Sequence, residues 1–112
     1  MAKRLLLLTD RIGRDDAELG KILMKNFLYS VARNDDAPEC VMLMNGAVRL
    51  ACEGSDSVDD LKLLAENGVA VKACGTCLDF LGLKDALAVG EVGTMVDAAA
   101  ALLGDDEVVT IA

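Results

Sequence analysis

Histidine and tryptophan are absent from this 112-residue chain, and aromatic residues make up only 3% of it. Without histidine the chain cannot form a Ser–His–Asp triad or a Cys–His dyad, which are common ways to activate a nucleophile. A zinc site would need four ligands, and a single Cys-x-x-Cys pair supplies only two of them. The sequence therefore predicts no metal and no cofactor within the chain, unless a neighbouring subunit supplies further ligands.

Long hydrophobic runs and a basic surface are also missing. The apolar run that ends at Leu8 is followed at once by Asp10 and Arg11, so it is too short for a signal peptide core or a membrane span. The net charge of -8 repels phosphate backbones and anionic lipid surfaces. We expect a cytoplasmic protein that binds neither nucleic acid nor membrane.

Hydrophobic residues form 54% of the chain, which is enough for an aliphatic core in one domain spanning residues 1–112. Short apolar runs alternate with segments of helical period, which is typical of βαβ units and a parallel sheet. The sequence predicts a three-layer α/β/α sandwich with a mainly parallel five-stranded sheet. Strands are expected at residues 3–9, 39–44, 69–73, 87–89 and 107–111.

Helical segments are expected between these strands. Asp15 or Asp16 can cap the first long helix, and Ser57 or Asp56 can cap the second. The stretch 47–52 is predicted to be a short helix, although it also resembles a strand. The longer helices are expected at 15–33, 57–66 and 94–103.

A ligand site is expected at the carboxyl edge of the sheet, because open parallel sheets bind ligands outside the carboxyl ends of their strands. The predicted strand ends bring Asp10, Asn45 and Cys74 to this edge, and Gly75 and Thr76 follow in the next turn. Asp10, Asn45, Gly75 and Thr76 are therefore the candidate substrate-binding residues.

The Cys74-Gly-Thr-Cys77 turn is the most specific feature for chemistry. Backbone N–H groups at a helix start favour a thiolate, and of two cysteines at this spacing one can attack while the other resolves. Asp79 and the acidic composition oppose thiolate formation, so the sign of the thiol pKa shift stays open. Cys74 and Cys77 are the candidate catalytic residues; the alternative is that both are small buried hydrophobic side chains.

The other two cysteines are interpreted as structural. Cys40 begins an apolar strand, and Cys52 ends an apolar segment. Free cysteine is among the most frequently buried residue types, and no export signal suggests disulfides.

Several sequence blocks, in order, resemble the DsrE-like domain of YedF-type proteins, within the DsrE/DsrF-like family. The resemblance spans roughly residues 3 to 97. The sequence departs from the pattern at Gly93-Thr-Met95, where an asparagine is expected before the methionine. The matching blocks are Asp10-Arg-Ile-Gly13, Glu18 to Phe27, Asn45-Gly-Ala-Val-Arg-Leu50, Glu53-Gly-Ser55, Cys74 to Leu83 and Val89-Gly-Glu-Val92.

The resemblance implies a function in sulfur relay. It implies a sulfurtransferase-like carrier of persulfide or perselenide, and the YedF-type proteins are associated with selenium metabolism. In such carriers one cysteine precedes a glycine by eight residues, as Cys74 precedes Gly82 here. Cys74 then takes the carrier role and Cys77 the resolving role. The implied partners are a sulfur donor, TusA-like carrier proteins and further copies of the chain in a dimer, trimer or hexamer.

Two other functions remain open at this point. The domain could be a non-catalytic oligomeric scaffold or partner-binding DsrE-like module with structural cysteines, which its high apolar content favours. It could also be a dithiol redox protein or a metal-responsive one. Thiol reactivity under native conditions separates the carrier from the scaffold.

Overall fold

The computed structural model describes residues 2–112 and contains a five-stranded sheet in which neighbouring strands pair in parallel. The order across the sheet is β4-β3-β2-β1-β5. Apolar runs such as Leu5 to Leu7 are buried, as a strand covered by helices on both faces requires. The strands are β1 (Lys3–Leu7), β2 (Cys40–Leu43), β3 (Ala70–Cys74), β4 (Glu91–Gly93) and β5 (Glu107–Ile111).

Four α-helices and two 3₁₀ segments connect the strands. The carboxylate of Asp16 accepts a hydrogen bond from the N–H of Leu19 at 3.0 Å and caps the first helix, as the sequence predicts. Ser57 stands at the corresponding position of the second helix, but its side chain makes no capping hydrogen bond. The helices are α1 (Ala17–Ala32), α2 (Val58–Glu66), α3 (Gly75–Phe80) and α4 (Met95–Leu102), and the 3₁₀ segments are Asn45–Ala51 and Lys84–Ala86.

The two faces of the sheet are covered unequally. The connections from β1 to β2, β3 and β4 all move in the same direction across the sheet. The connection from β4 to β5 runs in the opposite direction and places β5 on the far side of β1. Because such crossovers are right-handed, α1, α2 and α3 lie on one face and α4 lies alone on the other. The larger core accordingly includes Leu7 and Leu43, whereas the smaller core under α4 is formed by Leu6, Met42 and Ala98. This arrangement confirms the predicted α/β/α sandwich.

The fourth strand lies later than the sequence predicts. Residues 87–89 do not form a strand of the sheet; Leu87 makes one isolated antiparallel bridge to Cys52, and Val89 packs into the larger core. The strand is Glu91–Gly93 instead, at an exposed sheet edge. An edge strand of three residues has no buried apolar run, so hydrophobicity pointed to the wrong segment.

Helices α1 and α2 are joined through a buried carboxylate. Asp60 is only 1% exposed, and its oxygens accept hydrogen bonds from Lys25 at 2.6 Å and from Arg33 at 3.0 Å. The Arg33 guanidinium also lies 3.6 Å from the centre of the Tyr29 ring. Burial of Asp60 raises its pKa, but the hydrogen bonds and charges of the two cations outweigh burial, so the pKa lies below its usual range.

Asp60→Asn is expected to lower the free energy of unfolding by about 1–3 kcal/mol at neutral pH, because a buried charge-assisted interaction is lost. Because the pKa of Asp60 is lowered in the folded protein, its ionised form stabilises the fold above the unfolded-state pKa of about 3.9. This stabilisation is lost as the pH falls through the folded-state pKa. Urea unfolding of wild type should therefore show a stability loss below about pH 4 that Asp60→Asn lacks. Asp59→Asn, at an exposed position of the same helix, is the control and should keep the wild-type pH profile.

Candidate functional site

The carboxyl edge of the sheet brings together the loops that follow β1, β2 and β3. The register pairs Leu7 with Leu43 and Leu43 with Ala73, so the three strands end at the same level. Asn45 begins the first 3₁₀ segment just after β2, and Cys74 is the last residue of β3. The structure therefore contains the carboxyl edge at which the sequence predicts the candidate residues.

The Cys-x-x-Cys turn joins β3 directly to α3. Cys74 is the last strand residue, and Gly75 already belongs to the helix. A Cβ on Gly75 would lie 3.0 Å from Cγ1 of Val92 and 3.4 Å from the carbonyl oxygen of Gly93. A glycine here allows β4 to pack closely against the start of α3. Gly75 therefore has a packing role that the sequence did not indicate.

Asn45 makes direct contact with the cysteine pair. Its backbone N–H donates a hydrogen bond to Sγ of Cys77 at 3.1 Å, across 32 positions in the sequence. Asn45 has a φ of 53°, a left-handed conformation that asparagine tolerates better than most residues. Its left-handed conformation starts the 3₁₀ segment where its N–H meets the sulfur. The structure therefore brings Asn45 and Cys77 together.

The two thiols of the turn are not equivalent. Burial raises the pKa of the Cys77 thiol, a hydrogen bond with Cys74 raises it further, and the Asn45 N–H acts in the opposite direction. The negative charge of a Cys74 thiolate adds to the increase. Burial and the neighbouring Cys74 therefore favour the thiol form of Cys77, which suits a resolving partner that reacts after its neighbour.

Asp10 and Thr76 are less closely tied to the cysteines. The Asp10 carboxylate accepts a hydrogen bond from Nε of Arg11 at 3.1 Å. A Cβ on Gly46 would lie 3.9 Å from Oδ1 of Asp10, so this carboxylate borders the residue next to Asn45. Thr76 is exposed in the turn itself. Of the four candidate substrate-binding residues, Asn45 is the one that donates a hydrogen bond to a cysteine sulfur.

A groove under α4 is a further feature of this edge, and the sequence did not predict it. It has a volume of about 190 Å³, and Cys74 forms part of its wall together with Met44, Met95 and Ala98. The groove joins the smaller core to the carboxyl edge and is mostly apolar. The alternation of Cys40, Met42 and Met44 along one strand face could have indicated it. The error in the predicted position of the fourth strand prevented this prediction, because Gly93, the last residue of β4, and Thr94 also line the groove.

The other two cysteines do not join the pair. Cys52 is buried, its thiol donates a hydrogen bond to the carbonyl of Val48 at 3.2 Å, and burial raises its pKa, with a smaller contribution from Glu53. Burial is also the main cause that raises the pKa of Cys40, at the start of β2. Both raised pKa values favour the inert thiol form.

Two absences apply to residues 2–112. In this part of the chain, no three or more histidine, cysteine, aspartate or glutamate side chains are grouped so that they could hold a metal ion. The same residues include no helix that is both long and apolar enough to cross a membrane.

The chain has the DsrE-like fold, and three solved structures share its architecture. It matches the ychN protein from E. coli over 99% of this chain and 100% of that one, with 22% identity and a TM-score of 0.73. A conserved protein of unknown function from Bacteroides thetaiotaomicron matches with 14% identity, coverage of 97% and 94%, and a TM-score of 0.67. A protein of unknown function from Methanobacterium thermoautotrophicum gives 18% identity, 98% and 99% coverage, and a TM-score of 0.61. No protein-family model and no curated protein matches the chain.

Proposed function

We propose that the chain is a sulfurtransferase-like carrier in a sulfur relay and that Cys74 bears the transferred sulfur. The observation that carries the proposal is the asymmetric pair at the carboxyl edge: Cys77 accepts the N–H of Asn45 and has a raised thiol pKa beside Cys74. The DsrE-like fold is consistent with this role, and the sequence resemblance gives it direction. Residues 1–112 would act as one module in a reducing compartment such as the cytoplasm.

The proposed transfer needs no cofactor. The Cys74 thiolate attacks the outer sulfur of a donor persulfide, R–S–SH, so that the donor S–S bond breaks and R–S⁻ leaves. Cys74 then carries –S–SH. An acceptor thiolate can remove the outer sulfur in the same way. Alternatively, the Cys77 thiolate attacks Sγ of Cys74, forms the Cys74–Cys77 disulfide and releases HS⁻, after which a dithiol reductant restores both thiols.

Wild-type protein is expected to gain the mass of one sulfur atom when it is incubated with glutathione persulfide and analysed by intact-protein mass spectrometry. Cys74→Ser should lose this gain, whereas Cys77→Ser should keep it. Cys40→Ser is the matched control, because Cys40 lines the same groove at the other end of β2. Loading of Cys74→Ser at the wild-type level, or no gain in any variant, would contradict the proposal.

The YedF-type resemblance extends the proposal to selenium and to protein partners. The same mass measurement with a donor that carries selenium in place of the transferred sulfur tests whether Cys74 also accepts selenium. A TusA-like protein loaded with persulfide tests the donor: its mass should fall by one sulfur as the mass of this chain rises. Transfer only from small-molecule persulfides would contradict the partner assignment and leave the carrier role intact.

A scaffold role is the second candidate, favoured by apolar side chains exposed around α3 and α4. Phe80 is 88% exposed, and Val96 and Leu103 are similarly exposed. Isolated apolar residues are common on surfaces, but Val96 and Leu103 lie seven residues apart and therefore on the same side of α4, and an exposed apolar helix face is typical of contacts between subunits or with a partner. A homo-oligomer would be seen by light scattering. Thiols at Cys74 and Cys77 that stay unreactive in the native protein would then favour the scaffold over the carrier.

A further inference from the structure

Sulfur-containing side chains are concentrated in the groove under α4. Among the residues that line it are two cysteines and three methionines. Its other lining residues are mainly small or aliphatic, and one of its two charged side chains, Lys72, forms an ion pair with Glu91 at 3.2 Å. The five sulfur-bearing residues are Cys40, Met42, Met44, Cys74 and Met95.

Three of these five residues lie at the carboxyl edge. The register pairs Leu43 with Ala73, so Met44 and Cys74 occupy neighbouring positions at the ends of β2 and β3. Met44 remains extended, and its N–H donates to the carbonyl of Leu7 at 2.9 Å, so it continues the strand direction. Adjacent strands lie about 4.8 Å apart, which brings Met44 within reach of Cys74.

Met95 approaches from the other side of Cys74. Cys74 is paired with Gly93 of β4, and Met95 follows two residues later as the first residue of α4. Met95 is 60% exposed, so its side chain is free of tight packing. The Cys74 position is therefore flanked by one methionine from the end of β2 and one from the start of α4, and all three residues line the same groove.

The other sulfur atoms are placed differently. Met42 is only 4% exposed and belongs to the smaller core. Cys40 lies at the opposite end of β2 from Met44. Cys77 is not among the groove residues, and its sulfur accepts the Asn45 N–H. The candidate donor set is therefore one thiol and two thioethers.

We infer that Cys74, Met44 and Met95 form a binding site for a soft monovalent metal ion, copper(I). Thiolate and thioether ligands favour copper(I), whereas zinc requires four ligands and prefers cysteine, histidine and carboxylate. Among residues 2–112 no cluster of three such zinc ligands exists. Binding exchanges the thiol proton for the metal: Cys74–SH and Cu⁺ give Cys74–S–Cu and H⁺, with no change of oxidation state.

The test is an anaerobic titration of the full chain with copper(I) against a chromophoric copper(I) chelator. Wild type is expected to bind one equivalent, and Cys74→Ser should lose it. Met44→Leu and Met95→Leu should each weaken binding by about tenfold or more, since changes in the outer shell of a metal site already have effects of that size. Met24→Leu is the matched control, because Met24 is fully buried in the core on the opposite face.

Each alternative has a distinct outcome. Leucine conserves the volume of methionine and is usually tolerated in its place, so a thermal melt of each variant separates folding from binding. If Cys77→Ser abolishes binding while Met44→Leu and Met95→Leu do not weaken it, the metal is held by the cysteine pair and the assignment is wrong. Equal affinity for zinc would also overturn it. Sulfur loading of Cys74 is a separate measurement, so failure of either proposal leaves the other testable.

Discussion

Cys77→Ser is expected to load sulfur on Cys74 normally but to release it as sulfide on the order of 100-fold more slowly than wild type. An internal thiol beside its target acts at a high effective concentration, which an external thiol at millimolar levels does not reach. Cys77 is placed for this role, because its sulfur is fixed by the Asn45 N–H next to Cys74. The measurement follows sulfide release from persulfide-loaded protein in the absence of added thiol.

The pH dependence of this release follows from the Cys77 thiol. The attacking species is its thiolate, and burial, followed by the hydrogen bond with Cys74, raises its pKa. A raised pKa leaves little thiolate at neutral pH, and the thiolate fraction grows about tenfold per pH unit until the pKa is passed. Wild-type release should therefore still increase beyond about pH 8.5, where an ordinary thiol begins to level off.

Cys52→Ser is the control for this prediction, because Cys52 is buried and its thiol bonds to Val48 instead of the pair. Its release rate should match that of wild type once folding has been checked. Equal release from Cys77→Ser and wild type would remove the resolving role from Cys77. A release rate that is already level at neutral pH would contradict the protonated state inferred for this thiol.

The fold class could be predicted because its signals are local and repeated. Apolar runs such as Leu5 to Leu8 alternate with amphipathic segments, and this pattern alone predicts parallel strands with helices between them. The carboxyl edge follows from that topology, so the order of the strands is enough to place Asn45 and Cys74 there. The location of these two residues at the carboxyl edge follows from the strand order and does not depend on the details of side-chain packing.

The parts that could not be predicted depend on packing between distant segments. The N–H of Asn45 meets Cys77 only because of the left-handed turn at Asn45, and a sequence pattern does not specify that orientation. Asp60 is another example: acidic residues in the first turn of a helix are usually exposed, yet this one is buried by Lys25 and Arg33 from α1. The groove could be predicted only with the correct position of β4, because Gly93 of that strand lines it.

Gly90→Ala is expected to destabilise the protein by about 3 kcal/mol, because backbone strain and a steric collision act together at this position. Gly90 has a φ of 81°, which disfavours any residue with a Cβ. A Cβ at this position would also lie 2.5 Å from the backbone oxygen of Val71 in β3. Because Val71 is buried in the core of the sheet, that oxygen cannot move aside without shifting the strand.

Gly68→Ala separates the two causes of this effect. Gly68 has a similar φ of 91°, but a Cβ there has no atom within 4 Å, so its cost should be the conformational one alone, about 1 kcal/mol. The free energies of unfolding of the two variants, measured by chemical unfolding, should therefore differ by about 2 kcal/mol, and this difference measures the collision with β3.

Sulfur loading should respond to the same collision. Because β4 pairs with Lys72 and Cys74, loading should be slower in folded Gly90→Ala protein, whereas Gly68→Ala should load normally. Equal stability of the two variants would show that β4 does not pack this closely against β3, and the wall that Gly93 contributes to the groove would then be misplaced as well.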